Sequence, residues 1–160
     1  MRRTKRTIPE SMKCVALALI VVFVVVLMTR TGAGVPFKTA AKAVEASLDT
    51  ENLTEQNARN LRRNFGLDNA EYEGVLYYAS EYSMSAEEVL LVKVKDEEQV
   101  KTVTDAVQKR IDTRLDAFRG YAPEEVKLLE QAVQDVRGTY IFYSAAPEAD
   151  RYLEAFHESL

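Results

Sequence analysis

Residues 73–95 read EGVLYYASEYSMSAEEVLLVKVK, and the spacing of apolar side chains in this stretch decides the fold. Over 73–82, Val75, Tyr77 and Ala79 alternate with Leu76, Tyr78 and Ser80. A period of two, rich in aromatic residues, predicts a strand. A turn around Ser83, Met84, Ser85 and Ala86 separates it from a second strand over 88–95. There Leu90, Val92 and Val94 share one face, and Leu91, Lys93 and Lys95 share the other. Lysines on one side predict a wet face, as antiparallel sheets often have.

On the C-terminal side the period changes to that of a helix. Val100, Val103, Val107, Ile111, Leu115 and Phe118 recur every three or four residues, which predicts a long helix over 97–119. Asp96 is placed to cap it and Gly120 to end it, with Glu97–Lys101 and Asp105–Lys109 as i,i+4 pairs on its solvent side. Tyr121-Ala122-Pro123-Glu124-Glu125 opens a short helix holding Val126, Leu128 and Leu129. Residues 132–136 and 140–145 read as a hairpin turning near Arg137-Gly138-Thr139, and Pro147 starts a last helix with Ala149, Leu153, Phe156 and Leu160 inside.

Upstream, Pro36 starts a helix whose apolar face is Phe37, Ala41, Val44 and Leu48. Thr54 is the expected cap of a second helix, with Ala58, Leu61 and Phe65 inside and Gly66 as its stop. The expected fold is therefore α+β: a four-stranded, mainly antiparallel sheet over residues 35–160, with helices packed on one face.

The remaining N-terminal residues have a different composition. Residues 14–28, CVALALIVVFVVVLM, carry no charge, and eleven of the fifteen are Val, Leu, Ile or Phe. Those side chains contribute about -3 to -7 kcal/mol to membrane insertion. A helix of this length rises ~22 Å against a ~30 Å hydrocarbon core, a modest mismatch that Lys13 and Arg30 can bridge by snorkelling. The expected reading is a short basic cytoplasmic tail (1–13), a transmembrane anchor with a short linker (14–34) and an extracytoplasmic domain. The alternative is a secretory signal cleaved near Thr31 and Ala33, after which the domain is secreted. The length of the run and the arginine directly after it favour the anchor. Five basic residues before the run place the N-terminus in the cytoplasm.

Charge and composition exclude several functions. Residues 1–35 carry six Lys and Arg against Glu10, a balance of +5, whereas residues 36–160 carry 15 Lys and Arg against 24 Asp and Glu, a balance of -9. So acidic a domain, without a basic stripe interleaved with aromatics, repels a phosphate backbone, and no nucleic-acid partner is expected. The one cysteine, Cys14, and the one histidine, His157, provide neither a disulfide framework nor a multi-histidine zinc site. No cofactor or metal is expected, and no phosphate-binding loop, HExxH, G-x-S-x-G or Cys–His pair occurs.

Several residues nonetheless recur as a pattern. Ser85-Ala86-Glu87-Glu88 leading into Val89 to Lys95, then the long helix, Gly120-Tyr121-Ala122-Pro123-Glu124-Glu125, and Gly138-Thr139-Tyr140-Ile141-Phe142-Tyr143 resemble the domain of unknown function 4358 family. That family comprises small extracytoplasmic proteins of Gram-positive bacteria with a lipoprotein signal or membrane segment. The resemblance implies location, but neither activity nor site residues. This chain departs from the lipoprotein form in having no cysteine after its apolar run.

Two function classes follow. The first is a non-catalytic interaction or structural module at the outer face of a bacterial membrane, its partner an envelope protein or peptide. Tyr77, Tyr78, Tyr82, Glu87 and Glu88 are its candidate surface, although tyrosines on strands are more often half-buried sheet residues, and adjacent glutamates at a strand entry are more often surface charge. The second is a carboxylate-dependent cell-envelope hydrolase or transferase using Glu81, Glu87 and Glu88, which requires a pocket that separates their pKa values. Arg59, Arg62 and Arg63 offer an anion site, but cations near a helix C-terminus also simply offset its dipole.

Overall fold

The two alternating runs become the centre of the sheet. In the computed structural model, which describes Val15, residues 17–22 and residues 34–160, β2 (Gly74–Ala79) and β3 (Glu88–Lys93) pair antiparallel, with Tyr77 opposite Leu90. The hairpin of β4 (Val133–Arg137) and β5 (Tyr140–Ala145) joins β3 through β5, with Tyr143 opposite Leu90. Gly138 turns this hairpin at φ 58°, a conformation that costs a glycine little. A two-residue strand, β1 (Thr54–Glu55), adds to β2, so the order is β1-β2-β3-β5-β4 and the strands among the described residues number five rather than four.

That fifth strand corrects the reading of Thr54. Its backbone pairs with Ala79 instead of starting a helix. The helix α2 (Ala58–Phe65) begins three residues later, where the Asn57 side chain accepts from the Asn60 N–H at 3.0 Å. Thr54 and Asn57 are both capping types; pairing with the sheet edge decides between them.

Helices cover both faces of the sheet, not one. On the first face Val75, Tyr77, Leu90, Val92, Ile141 and Tyr143 meet α2, α3 (Glu98–Phe118) and α4 (Pro123–Glu130) through Leu61, Phe65, Val103, Val107, Phe118 and Leu129. On the second, Leu76, Tyr78, Leu91, Tyr140 and Phe142 meet α1 (Phe37–Ser47) and α5 (Ala149–Glu158) through Ala40, Val44, Tyr152 and Phe156. The fold is α+β in three layers. Lys93 suggests a wet face in the sequence, yet it is only 7% exposed: its stem is buried and its Nζ donates to the Val35 carbonyl at 3.0 Å and to Glu73 Oε1 at 2.7 Å. Tyr140 Oη donates to the same carbonyl at 3.0 Å. At the start of β2, α1 comes so close that a Cβ on Gly74 would lie 2.2 Å from the Phe37 ring.

Two details of α3 also differ from expectation. Asp96 is not its cap; the capping position is Glu97 without a side-chain bond, and Gln99 Oε1 accepts from the Lys95 N–H at 2.9 Å. The i,i+4 pair formed is Lys101–Asp105 at 2.5 Å, in place of the two anticipated pairs among the described residues.

The proposed tail at 1–13 lies outside the described residues, as does most of the apolar run at 14–28. Val15 and residues 17–22 are helical with exposed side chains. Among the described residues no helix is long and apolar enough to cross a membrane.

Candidate functional site

Glu88 is the first residue of β3, and the strand period that places Leu90 on the α3 side places Glu88 there too. Arg110 comes from the inner stripe of α3, where Val103, Val107, Arg110, Arg114 and Phe118 follow one another at helical spacing. The two side chains meet: Arg110 Nε donates to Glu88 Oε1 at 3.1 Å and Oε2 at 3.2 Å, and Nη2 donates to Oε2 at 3.0 Å. Tyr143 donates to Oε1 at 3.0 Å and Tyr77 to Oε2 at 3.3 Å, while Asn64 Nδ2 donates to the Tyr77 hydroxyl at 2.6 Å. The Phe65 ring meets Tyr77 edge-on at 5.3 Å and lies 5.7 Å from the Arg110 guanidinium.

Glu88 is therefore not the surface charge its position at a strand entry suggests; it is 2% exposed and both its oxygens are engaged. A buried carboxylate persists only when paired and hydrogen-bonded, and here a guanidinium and two hydroxyls do both. Burial, and then the Glu88 charge, push the Tyr77 and Tyr143 hydroxyls well above the usual tyrosine value. Burial alone would lower the Arg110 pKa, but Glu88 more than offsets it and holds the guanidinium charged.

A cleft of about 300 Å³ opens beside this network. One wall is the turn between β2 and β3, with Ser80, Glu81, Tyr82, Ser83, Ser85 and Glu87; the other is Arg63 and Asn64 of α2 with Arg110 and Arg114 of α3. Arg114 lies 4.4 Å from the Phe118 ring and its Nη2 donates to the Ser85 carbonyl. It has no carboxylate partner among the described residues, and its Nε is buried without an acceptor. Burial, and then the Arg110 charge, lower its pKa. Arg63 is exposed and likewise has no acid partner among the described residues. Glu87 is half-buried, and burial, then Glu125 and Asp49, raise its pKa.

The cleft brings together Glu81, Tyr82, Glu87 and Glu88. It does not gather the tyrosines. Tyr77 is buried beneath α2, and Tyr78 faces the other side of the sheet, where its hydroxyl donates to Glu45 Oε1 at 2.9 Å. Tyr82 alone of the three is exposed, at 72%. Of the three anticipated arginines, Arg63 lines the cleft and Arg62 pairs with Asp68. Arg110 and Arg114 belong to no sequence motif, although two arginines in register with an apolar helical stripe are a readable signal. His157 Nε2 donates to Asp135 Oδ2 on β4 at 2.7 Å, as does the Arg137 Nε at 2.9 Å, and ties α5 to the sheet edge. Among the described residues no group of His, Cys, Asp and Glu is arranged to hold a metal ion.

No curated protein and no solved structure matches the chain. A family model described as Domain of unknown function (DUF4358) matches residues 46–146. Since that match includes all five strands and every residue of the cleft, the chain belongs to the DUF4358 family.

Proposed function

We propose that this protein is a non-catalytic binding module tethered to the outer face of a bacterial membrane by a single N-terminal span, and that the arginine-walled cleft is the surface that receives its partner, an envelope protein or peptide. The observation that carries this reading is Arg114, a half-buried guanidinium fixed by Phe118 and the Ser85 carbonyl yet matched to no carboxylate among the described residues. Holding a cation partly out of water beside another cation, Arg110, with no carboxylate paired to it costs stability, and sites of binding are where such costs are retained.

The tether limits where the cleft can act. Val35 follows Met28 by seven residues, a reach of at most about 25 Å, and its carbonyl is held by Lys93 and Tyr140. The basic tail, apolar run and acidic domain support an N-terminus in the cytoplasm and a domain outside.

A second reading, a carboxylate-dependent hydrolase or transferase, is favoured by one observation: Glu87 lines the cleft with a raised pKa. Of the three candidate carboxylates Glu88 is locked by Arg110 and Glu81 is exposed, so Glu87 alone stands in the partly buried surroundings that acid–base work by a pair requires. The non-catalytic reading is the stronger for that reason. Mild crosslinking of the full chain in its own membrane, followed by pull-down, tests it. One stoichiometric partner, lost with Arg63→Glu, is the expected result; a clean monomer, or an adduct indifferent to Arg63→Glu, contradicts it.

A further inference from the structure

The cleft is not simply basic. Arg63 and Arg114 line it from the helices, and Glu81 and Glu87 line it from the turn between β2 and β3, while Arg110 and Glu88 neutralise each other. We infer that the cleft takes a zwitterionic ligand, a short peptide with a free carboxylate and an ammonium group. The inference rests on the cleft being the binding surface and adds the chemistry of what it binds.

The ligand carboxylate lies against Arg63 and Arg114, whose guanidinium groups have no acid of their own among the described residues. Planar guanidinium groups favour carboxylates through paired N–H donors, which the exposed Arg63 presents; Arg114, with its Nη2 on the Ser85 carbonyl and its Nε buried, adds its fixed charge. The ammonium lies against Glu81 and Glu87. Burial and the neighbouring Glu125 disfavour the charged form of Glu87, and a cation placed beside it reverses that penalty. A polyanion satisfies the arginines but meets both glutamates and the negative field of a domain with a balance of -9, which weakens it. The volume, about 300 Å³, is at the small end of ligand pockets and suits a dipeptide-sized group. The serine hydroxyls of Ser80, Ser83 and Ser85 supply donors and acceptors for its amide.

The test is a titration of the full chain in detergent, read by NMR shifts of cleft residues, with four probes: alanylalanine, N-acetyl-alanylalanine, alanylalanine amide and inorganic phosphate. Alanylalanine is expected to shift the 80–87 turn, with both blocked forms and phosphate weaker by about tenfold or more, as loss of a charged hydrogen-bonding group implies. Arg63→Gln, at an exposed position, is expected to weaken alanylalanine by a similar factor and leave the fold intact. Arg114→Lys keeps the charge but not the anchor on the Ser85 carbonyl that fixes its position, and its affinity falls between wild type and Arg63→Gln. Equal binding of N-acetyl-alanylalanine, or tighter binding of phosphate, overturns the inference and leaves a cleft that binds anions. Absence of any shift while the membrane partner is still captured through Arg63 overturns the inference alone. Absence of both overturns it together with the reading beneath it.

Discussion

Arg110 grips Glu88 through two nitrogens at 3.0–3.2 Å, joining the middle of α3 to the first residue of β3 across 22 positions of sequence. One helical turn further on, Arg114 has no such partner among the described residues. The contrast separates what holds the domain together from what is left for a ligand.

The pair is structural, so breaking one half is expensive. Arg110→Ala leaves Glu88 charged and buried beside two tyrosines, and is expected to cost about 3–5 kcal/mol in denaturant unfolding. The double change Glu88→Gln with Arg110→Met is expected to cost clearly less than the sum of the single ones. Additive costs would show that the two residues act independently.

Gly74 is needed because of Phe37, not because of its own backbone. A Cβ there meets an aromatic ring at 2.2 Å, so Gly74→Ala forces α1 away from the sheet. Overpacking of this kind costs about 1–3 kcal/mol, and Phe37→Leu in the same chain is expected to recover part of it. Thermal unfolding of the three variants checks this; an unchanged Tm for Gly74→Ala contradicts the packing described.

Glu87 makes stability depend on pH. Its folded pKa is raised, chiefly by burial, so the folded state holds the proton more tightly than the unfolded chain does. Its contribution is then most favourable below the unfolded value, about 4.3, and is lost as pH rises through the folded one. Glu87→Gln removes that loss. The variant is expected to melt higher than wild type at pH 7, with the difference closing below about pH 4. A variant that melts lower at pH 7 would show that the carboxylate is engaged rather than penalised.

Tyr77 and Tyr143 carry the same logic to alkaline pH. Burial first, and Glu88 second, raise both, so the stability they contribute is complete below about pH 10 and falls as pH rises through their folded values. Tyrosinate absorbance is expected to show these two ionising only as the protein unfolds. In Tyr143→Phe, which leaves one Glu88 oxygen with a donor fewer, the loss at neutral pH is expected to be about 1–2 kcal/mol.

The sequence carries the layout of the sheet well, because alternation over 74–79 and 88–93 is a local signal that the pairing only has to honour. It carries the hairpin for the same reason, with Gly138 marking the turn. What it conceals depends on distant partners. β1 is two residues long and has no period to detect; it exists because β2 offers an edge. Lys93 looks solvent-facing until the Val35 carbonyl and Glu73 are seen to receive its ammonium. Glu88 and Glu87 are neighbours of one residue type, yet strand geometry sends the first into the core, where Arg110, Tyr77 and Tyr143 satisfy it. The cleft was half legible: Glu81, Tyr82, Glu87 and Arg63 stand out in the sequence, whereas Arg114 needs the helix placed against the turn.

The most direct test of the cleft as a binding surface is site-specific photocrosslinking in intact membranes. A photoreactive residue at Ser83, on the cleft wall, is compared with one at Thr104 on α3, outside the cleft lining. The account predicts one discrete adduct from Ser83, none from Thr104, and loss of the Ser83 adduct when Arg63→Glu is added. Equal labelling from both positions, or a Ser83 adduct that survives Arg63→Glu, would contradict it.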